Sequence, residues 1–343
     1  MQHPSLGRLN DILKRVSRSF YLSLRILPRS LRTSIGLAYL FARAADTIAD
    51  TALISPAARL ILLERFRSLF ERYDATLLAG ISGALVGPQR LPAERALLSS
   101  LDECFAIFQT CAPDDQARIR HLLLTLTQGM VMDLTTFPPE YDGHVVALKT
   151  RQDLDQYTYY VAGCVGEFWT TMHVAHRPSL KGWDVERMKQ WAIRFGKGLQ
   201  MTNILRDLAR DLRLGRCYLP LEALLPHGLA PEHLLEPSAI ADVRPVLQEL
   251  LALTLDHYRW GWAYTLAIPR REVQMRLACA WPLLIGFRTL DLVARAENLL
   301  DPSVTVKISR AAVYRILLSS SLLVLSNRGL WRYAHHLGRR LIF

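Results

Sequence analysis

The amino-acid sequence predicts an all-α protein, and three observations carry that prediction. Apolar residues recur at the helical spacing i, i+3, i+4, i+7 along most of the chain. No segment alternates apolar and polar residues as a half-buried strand does, and no strand–helix–strand rhythm is present. Prolines fall where helices must start or stop: Pro28, Pro56, Pro92, Pro113, Pro138, Pro139, Pro178, Pro220, Pro231 and Pro269. They leave segments of about 15–30 residues. No Gly/Ser linker or charge block divides the 343 residues, so 1–343 reads as a single domain of about ten or more helices.

The elements follow in order. The opening stretch "MQHPSLGRLNDILKRVSRSF" lacks the apolar centre of a secretory signal. "YLFARAADTIADT" keeps the helical pattern, with Asp46 and Asp50 four residues apart and Arg43 one turn earlier. "LILLERFRSLFERY", "ALLSSLDECFAIFQT" and "ARIRHLLLTLTQGMVMDL" continue the pattern. "NILRDLARDLRLGRCYLP" repeats the four-residue spacing at Asp207 and Asp211, among Arg206, Arg210, Arg213 and Arg216.

The chain closes with "ILLSSSLLVLSNRGLWRYAHHLGRRLIF". Its uncharged run, Ile316 to Asn327, is 12 residues. As a helix that is ~18 Å, short of a ~30 Å hydrocarbon core. Cations and aromatics follow without any acid, so 316–343 suits an interfacial tail on anionic lipid. The competing reading is a final helix packed on the domain.

Half of the chain is hydrophobic, enough for a substantial core. A net charge of +11 and a pI near 9.7 point to an anionic partner: a phosphorylated metabolite, anionic lipid or nucleic acid. Nucleic acid ranks last, because neither zinc-finger spacing nor an aromatic RNA-binding signature is present. Five scattered cysteines without a CxxC fit reduced thiols in the cytosol.

The aspartate pairs carry the chemistry. Positions i and i+4 differ by only ~40° around a helix, so each pair shares one stripe. The plainer account is a solvated face laced with ion pairs. Two such helices facing each other would point four carboxylates into a shared cavity, which is costly without bound cations. Magnesium bridges a few carboxylates to substrate phosphates and keeps several waters. The arginines then grip the phosphate oxygens left free. The pattern therefore predicts a magnesium–diphosphate site.

At this point the chain resembles the squalene/phytoene synthase family, from about Ser17 to about Arg310. The matching blocks, in family order, are "SRSFYLS", "YLFARAADTIAD", "YTYYVAGCVGEF" and "LQMTNILRDLARDLRLGRCYLP". The resemblance implies an isoprenoid synthase fold, helices around a central cavity with two facing DxxxD helices. It implies two bound prenyl diphosphates, one of which ionises with magnesium and alkylates the other. It implies metal ligation by Asp46, Asp50, Asp207, Asp211 and Asn203. Diphosphate binding falls to Ser17, Arg18, Ser19, Arg43, Gln200, Arg206 and Arg216. Tyr157 takes the place of the family's reactive tyrosine, and Tyr39 and Phe20 offer ring faces to a carbocation. For Phe168 and Trp281 core packing competes with that role, and for Gly163 and Gly166 close helix packing does. Many members carry further acids where this chain has Ala49, Thr51 and Arg210, which bears on how many metals bind. For Asp133 an internal ion pair is favoured over an auxiliary role at the cavity wall.

Within the family, "LGRCYLP" leans toward the phytoene type. "LACAWPLLIGFRTL" and "VTVKISRAAVYRI" lean toward the squalene type, whose basic segment Lys307 and Arg310 resemble; an exposed basic patch is the other account of those two. The implied activity is condensation of two farnesyl diphosphates through presqualene diphosphate, with reduction to squalene by NADPH. The alternative stops at phytoene, dehydrosqualene or presqualene diphosphate, without reduction. A non-catalytic assembly factor on this fold would be expected to lose the aspartates or Tyr157, which are all present. The implied location is cytoplasmic, peripheral to a membrane, with Mg2+ and NADPH as cofactors and no nucleic-acid partner.

Overall fold

Helices begin where the chain supplies a cap. Ser55 accepts from the Ala58 amide ahead of Pro56, Asp74 accepts from Thr76 and Leu77, and Thr150 and Asp153 form a reciprocal capping box. In this computed structural model, residues 6–16, 24–51, 53–138, 143–338 and 341 are described. By internal packing they fall into two units, residues 1–134 with 168–178, and residues 135–167 with 179–343.

The first unit carries α1 (Leu6–Val16), α2 (Arg29–Asp50), α3 (Pro56–Glu71), α4 (Ala75–Val86), α5 (Pro92–Leu98), α6 (Leu101–Thr110) and most of α7 (Pro113–Thr136). Its core is a phenylalanine cluster. Phe41 of α2 stands 4.7 Å from Phe105 and 5.0 Å from Phe70, ring centre to ring centre. Phe66 and Phe108 close the cluster, and all five rings are buried. Burying each ring is worth up to about 3 kcal/mol, so the helix that carries Asp46 and Asp50 is firmly seated. The stretch 96–110, continuous in its hydrophobic pattern, breaks at Ser99 and Ser100, where the Ser100 amide turns back to the Leu97 carbonyl. Periodicity does not register a two-residue interruption that preserves the apolar face.

The second unit begins with a two-residue parallel strand pair, β1 (Val146–Ala147) beside β2 (Arg216–Cys217), too short to leave a sequence pattern. α8 (Arg151–Thr158) runs through one π-helical turn, Tyr159–Gly163, into α9 (Cys164–His176), whose residues from Phe168 onward belong to the first unit. α10 (Val185–Leu212) lies along α12 (Ile240–Ala267), with the short α11 (Leu221–Leu224) between them in sequence. Glycines permit the packing on α10. A Cβ at Gly166 would stand 2.0 Å from the Ala192 carbonyl oxygen, and one at Gly196 would stand 2.2 Å from that of Ala162. Close helix packing is thus what Gly166 does, and the π turn brings the Tyr157 region against α10.

α13 (Val273–Arg295), α14 (Arg310–Leu323) and α15 (Asn327–Leu337) complete the unit. α13 has the length and apolarity of a membrane span, with a window of mean hydropathy 1.5, yet 72% of that window is buried inside the fold. Pro245 and Pro282 sit within α12 and α13 and do not end them. Leu330 and Ala334 of α15 are buried, and Trp331 meets Trp262 edge-on at 6.2 Å.

Candidate active site

Asp46 and Asp50 occupy the last turns of α2 and line a pocket of about 330 Å3. Arg43, one turn back, donates from Nη1 to Asp46 Oδ2 at 2.5 Å. Burial, and then the Asp50 carboxylate, push the Asp46 pKa up to about 6 against the pull of Arg43. Asp50 is exposed and Ala49 is buried. Tyr39, half-buried one turn further back, directs its hydroxyl toward the Val16 carbonyl at 3.5 Å.

A third acid belongs to this pocket and was absent from the sequence reading. Glu94, in the first turn of α5, takes Arg43 Nη2 on Oε1 at 2.5 Å and Gln89 Nε2 on Oε2 at 3.1 Å. Gln89 is itself buried and held, its Oε1 on the Leu91 amide and its carbonyl on Arg95. Glu94 lies 51 residues from Arg43 and fits no local pattern. Only its place in the first turn after a proline marks it, and that is equally the mark of a helix-dipole acid.

The second pair is carried by α10. Arg206 grips its neighbour Asp207 with two donors, Nε to Oδ1 at 2.8 Å and Nη2 to Oδ2 at 2.5 Å. Burial, and then Asp207, push the Asp211 pKa up to about 7, opposed by Arg210, Arg216 and Arg206. The helix ends in a tight turn in which Leu214 bonds back to Asp211 and Gly215 to Leu212. Gly215 has φ +77°, and a Cβ there would lie 2.7 Å from the His144 carbonyl oxygen. That glycine lets β2 pair with β1 and returns Arg216 toward Asp211. Gln200 and Asn203 sit one turn apart and are bonded to each other, Asn203 Nδ2 to Gln200 Oε1 at 3.2 Å.

Tyr157 is buried at the end of α8, stacked on Tyr218, which meets Phe137 edge-on. Phe168 and Trp281 are buried, the Trp281 indole donating to Ser320 Oγ at 3.1 Å. Lys307 and Arg310 are exposed around the N-terminus of α14, where Ser309 caps the Ala312 amide. Neither forms an ion pair among the described residues. Ser17, Arg18, Ser19 and Phe20 lie outside the described residues.

The donor set suits magnesium. Each pair keeps one carboxylate whose charge is resisted by burial and by its own neighbour, the condition a divalent cation relieves. Among the described residues no group of three or more His, Cys, Asp or Glu side chains is placed to hold a metal by itself. As magnesium sites the pairs would be open, with waters or substrate oxygens needed to complete them. For a dinucleotide, Lys307 and Arg310 offer an open cationic surface suited to phosphate.

The squalene/phytoene synthase family model matches residues 13–312. A squalene synthase of Eremothecium gossypii is 28% identical over 302 residues, 88% of this chain and 65% of that protein. A bifunctional lycopene cyclase/phytoene synthase of Colletotrichum graminicola is 30% identical over 250 residues, 72% of this chain and 40% of that protein. The chain thus spans less than two thirds of the length of either relative. Among solved structures, a ligand complex of TcSQS superposes with a TM-score of 0.73 at 22% identity, covering 97% of both chains. A dehydrosqualene synthase superposes at 0.59 with 23% identity, covering 93% of this chain and 96% of its own.

Proposed function

Because the chain belongs to the squalene/phytoene synthase family, we propose that it is a squalene synthase, joining two farnesyl diphosphates head to head and reducing the product with NADPH. The observation that carries the diphosphate chemistry is the state of the aspartate pairs, each with a raised carboxylate and an arginine beside it. Squalene synthases aligning over 88% of the chain, against 72% for the phytoene synthase relative, support the squalene reading.

In this reading Asp46, Asp50, Asp207 and Asp211, with Asn203, hold magnesium. Magnesium supplies the positive charge that draws diphosphate away from carbon. Arg43, Gln200, Arg206 and Arg216, with Ser17, Arg18 and Ser19, grip the diphosphate oxygens. The C1–O bond of one substrate breaks and diphosphate leaves with the electron pair. The allylic cation adds to the C2=C3 bond of the second substrate, and loss of one proton closes the cyclopropane of presqualene diphosphate. Tyr157 moves that proton, and the rings of Tyr39 and Phe20 stabilise positive charge. The second C–O bond then breaks, the skeleton rearranges, and one hydride quenches the cation. Lys307 and Arg310 would hold the phosphates of NADPH, which would supply that hydride when bound.

The test is product analysis with farnesyl diphosphate and magnesium, with and without NADPH. Squalene that appears only with NADPH supports the assignment, and Lys307→Ala should then weaken the NADPH response more than the first condensation. A product spectrum unchanged by NADPH would establish the phytoene or dehydrosqualene alternative, which the phytoene synthase relative favours.

The reading includes a peripheral place on anionic membrane. Tyr314, Leu318, Leu322 and Leu325 are 58–79% exposed and fall within one ~80° arc along α14 and just beyond it. On α14, Arg310 and Arg315 are exposed on either side of that arc, Arg328 and Arg332 are exposed on α15, and no acid follows Asp301. An apolar stripe flanked by cations matches an anionic lipid surface, which would also receive a hydrocarbon product.

A further inference from the structure

The Arg43 guanidinium has five N–H donors. Two are spent, one on Asp46 and one on Glu94. Its Nε is buried and makes no hydrogen bond. The clamp has unequal jaws: Asp46 is on the same helix three residues away, whereas Glu94 reaches Arg43 from α5. The Glu94 jaw is also the better braced, because its second oxygen is tied to Gln89, which is buried and fixed by Leu91 and Arg95. An arginine side chain free to rotate would have to be ordered anew each time it met an anion. One held at both terminal nitrogens has lost that freedom beforehand. The same clamp keeps Asp46 turned into a pocket that Asp50, Thr47 and Arg90 also line.

We propose that Glu94 is a positioning residue of this pocket: it holds Arg43 against Asp46 so that the remaining Nη1 and Nη2 N–H donors and the Asp46 carboxylate meet a magnesium–diphosphate group in fixed register. The proposal rests on the reading of Asp46 and Asp50 as magnesium ligands. Glu94 touches neither substrate nor metal and acts through Arg43. An electrostatic count would make a third acid unwelcome to diphosphate. The geometry inverts that expectation, because the charge of Glu94 is spent on Arg43.

Calorimetric binding of inorganic diphosphate in the presence of magnesium tests this without turnover. Glu94→Ala should weaken binding by about tenfold or more, the usual scale for loss of a partner that orients a metal or anion ligand. Glu94→Gln retains an acceptor and the size of the side chain, so it should recover part of the loss. In turnover assays the defect should fall mainly on the substrate KM, with a smaller change in kcat. In an Arg43→Gln background Glu94→Ala should add no more than about twofold, because residues acting through one another are not additive. Native-like circular dichroism of Glu94→Gln keeps the comparison valid if the alanine variant folds poorly. Wild-type binding by both Glu94 variants, or full additivity with Arg43→Gln, would overturn the proposal and leave Glu94 a structural ion pair. Failure of the wild-type protein itself to bind magnesium–diphosphate would instead overturn the reading of the aspartates.

Discussion

Tyr157 stacks on Tyr218 with ring centres 4.8 Å apart and planes 24° from parallel. The stack anchors the ring and leaves the hydroxyl as the chemically distinct part of the side chain. Tyr157→Phe keeps the ring in that stack, so it should fold and lose turnover by roughly 10²-fold, the scale of a lost acid–base group. Tyr157→Ala should in addition cost about 3–5 kcal/mol of stability, read by chemical denaturation. A loss of activity below about threefold in the phenylalanine variant would make Tyr157 a packing residue.

The two aspartate pairs predict a pH dependence of the metal-free protein. Asp46 titrates near 6 and Asp211 near 7, both above the unfolded value of 3.8. A carboxyl that holds its proton more tightly when folded contributes stability at low pH and loses it as pH rises through its folded pKa. Metal-free thermal stability should thus fall between about pH 4 and pH 7, and Asp211→Asn should flatten that slope. Magnesium with diphosphate should restore the loss near pH 8 in the wild type and less so in the variant.

Arg276 is fully buried in α13 and binds three parts of the chain at once. Nε donates to the Val324 carbonyl at 2.8 Å, Nη1 to that of Ile268 at 2.6 Å and Nη2 to Asn327 Oδ1 at 2.7 Å. It ties the α14–α15 connection to the end of α12. Arg276→Met should cost about 3–5 kcal/mol, since it leaves buried acceptors unmet. Arg276→Lys should recover less than half of that, because a single ammonium cannot replace the guanidinium fork. Equilibrium unfolding of the three proteins checks both figures.

The exposed stripe on α14 separates docking from stability. Leu318→Ser with Leu322→Ser should lower partitioning onto anionic vesicles by about tenfold or more, in a salt-sensitive manner, and leave detergent-assayed turnover intact. Removing Leu330 to Phe343 should instead destabilise the fold, because Leu330 is fully buried and Trp331 packs on Trp262. Equal vesicle binding by the double serine variant would remove α14 from the membrane face.

The sequence by itself determined what depends on neighbours within about one helical turn. The helical period set the fold class, the four-residue spacing put each aspartate pair on one stripe, and Pro56, Pro92 and Pro113 marked the first turns of α3, α5 and α7. Tertiary structure decided whatever joins distant stretches. It set Glu94 on Arg43 across 51 residues, Tyr218 on Tyr157, and the Ala192 carbonyl over Gly166. It also assigned the two apolar segments near the C-terminus to opposite fates: α15 turns Leu330 into the core, and α14 turns Leu318 and Leu322 to solvent. Hydrophobic spacing can say that a helix has an apolar face. Which partner buries that face, or whether any does, follows only from where the rest of the chain has packed.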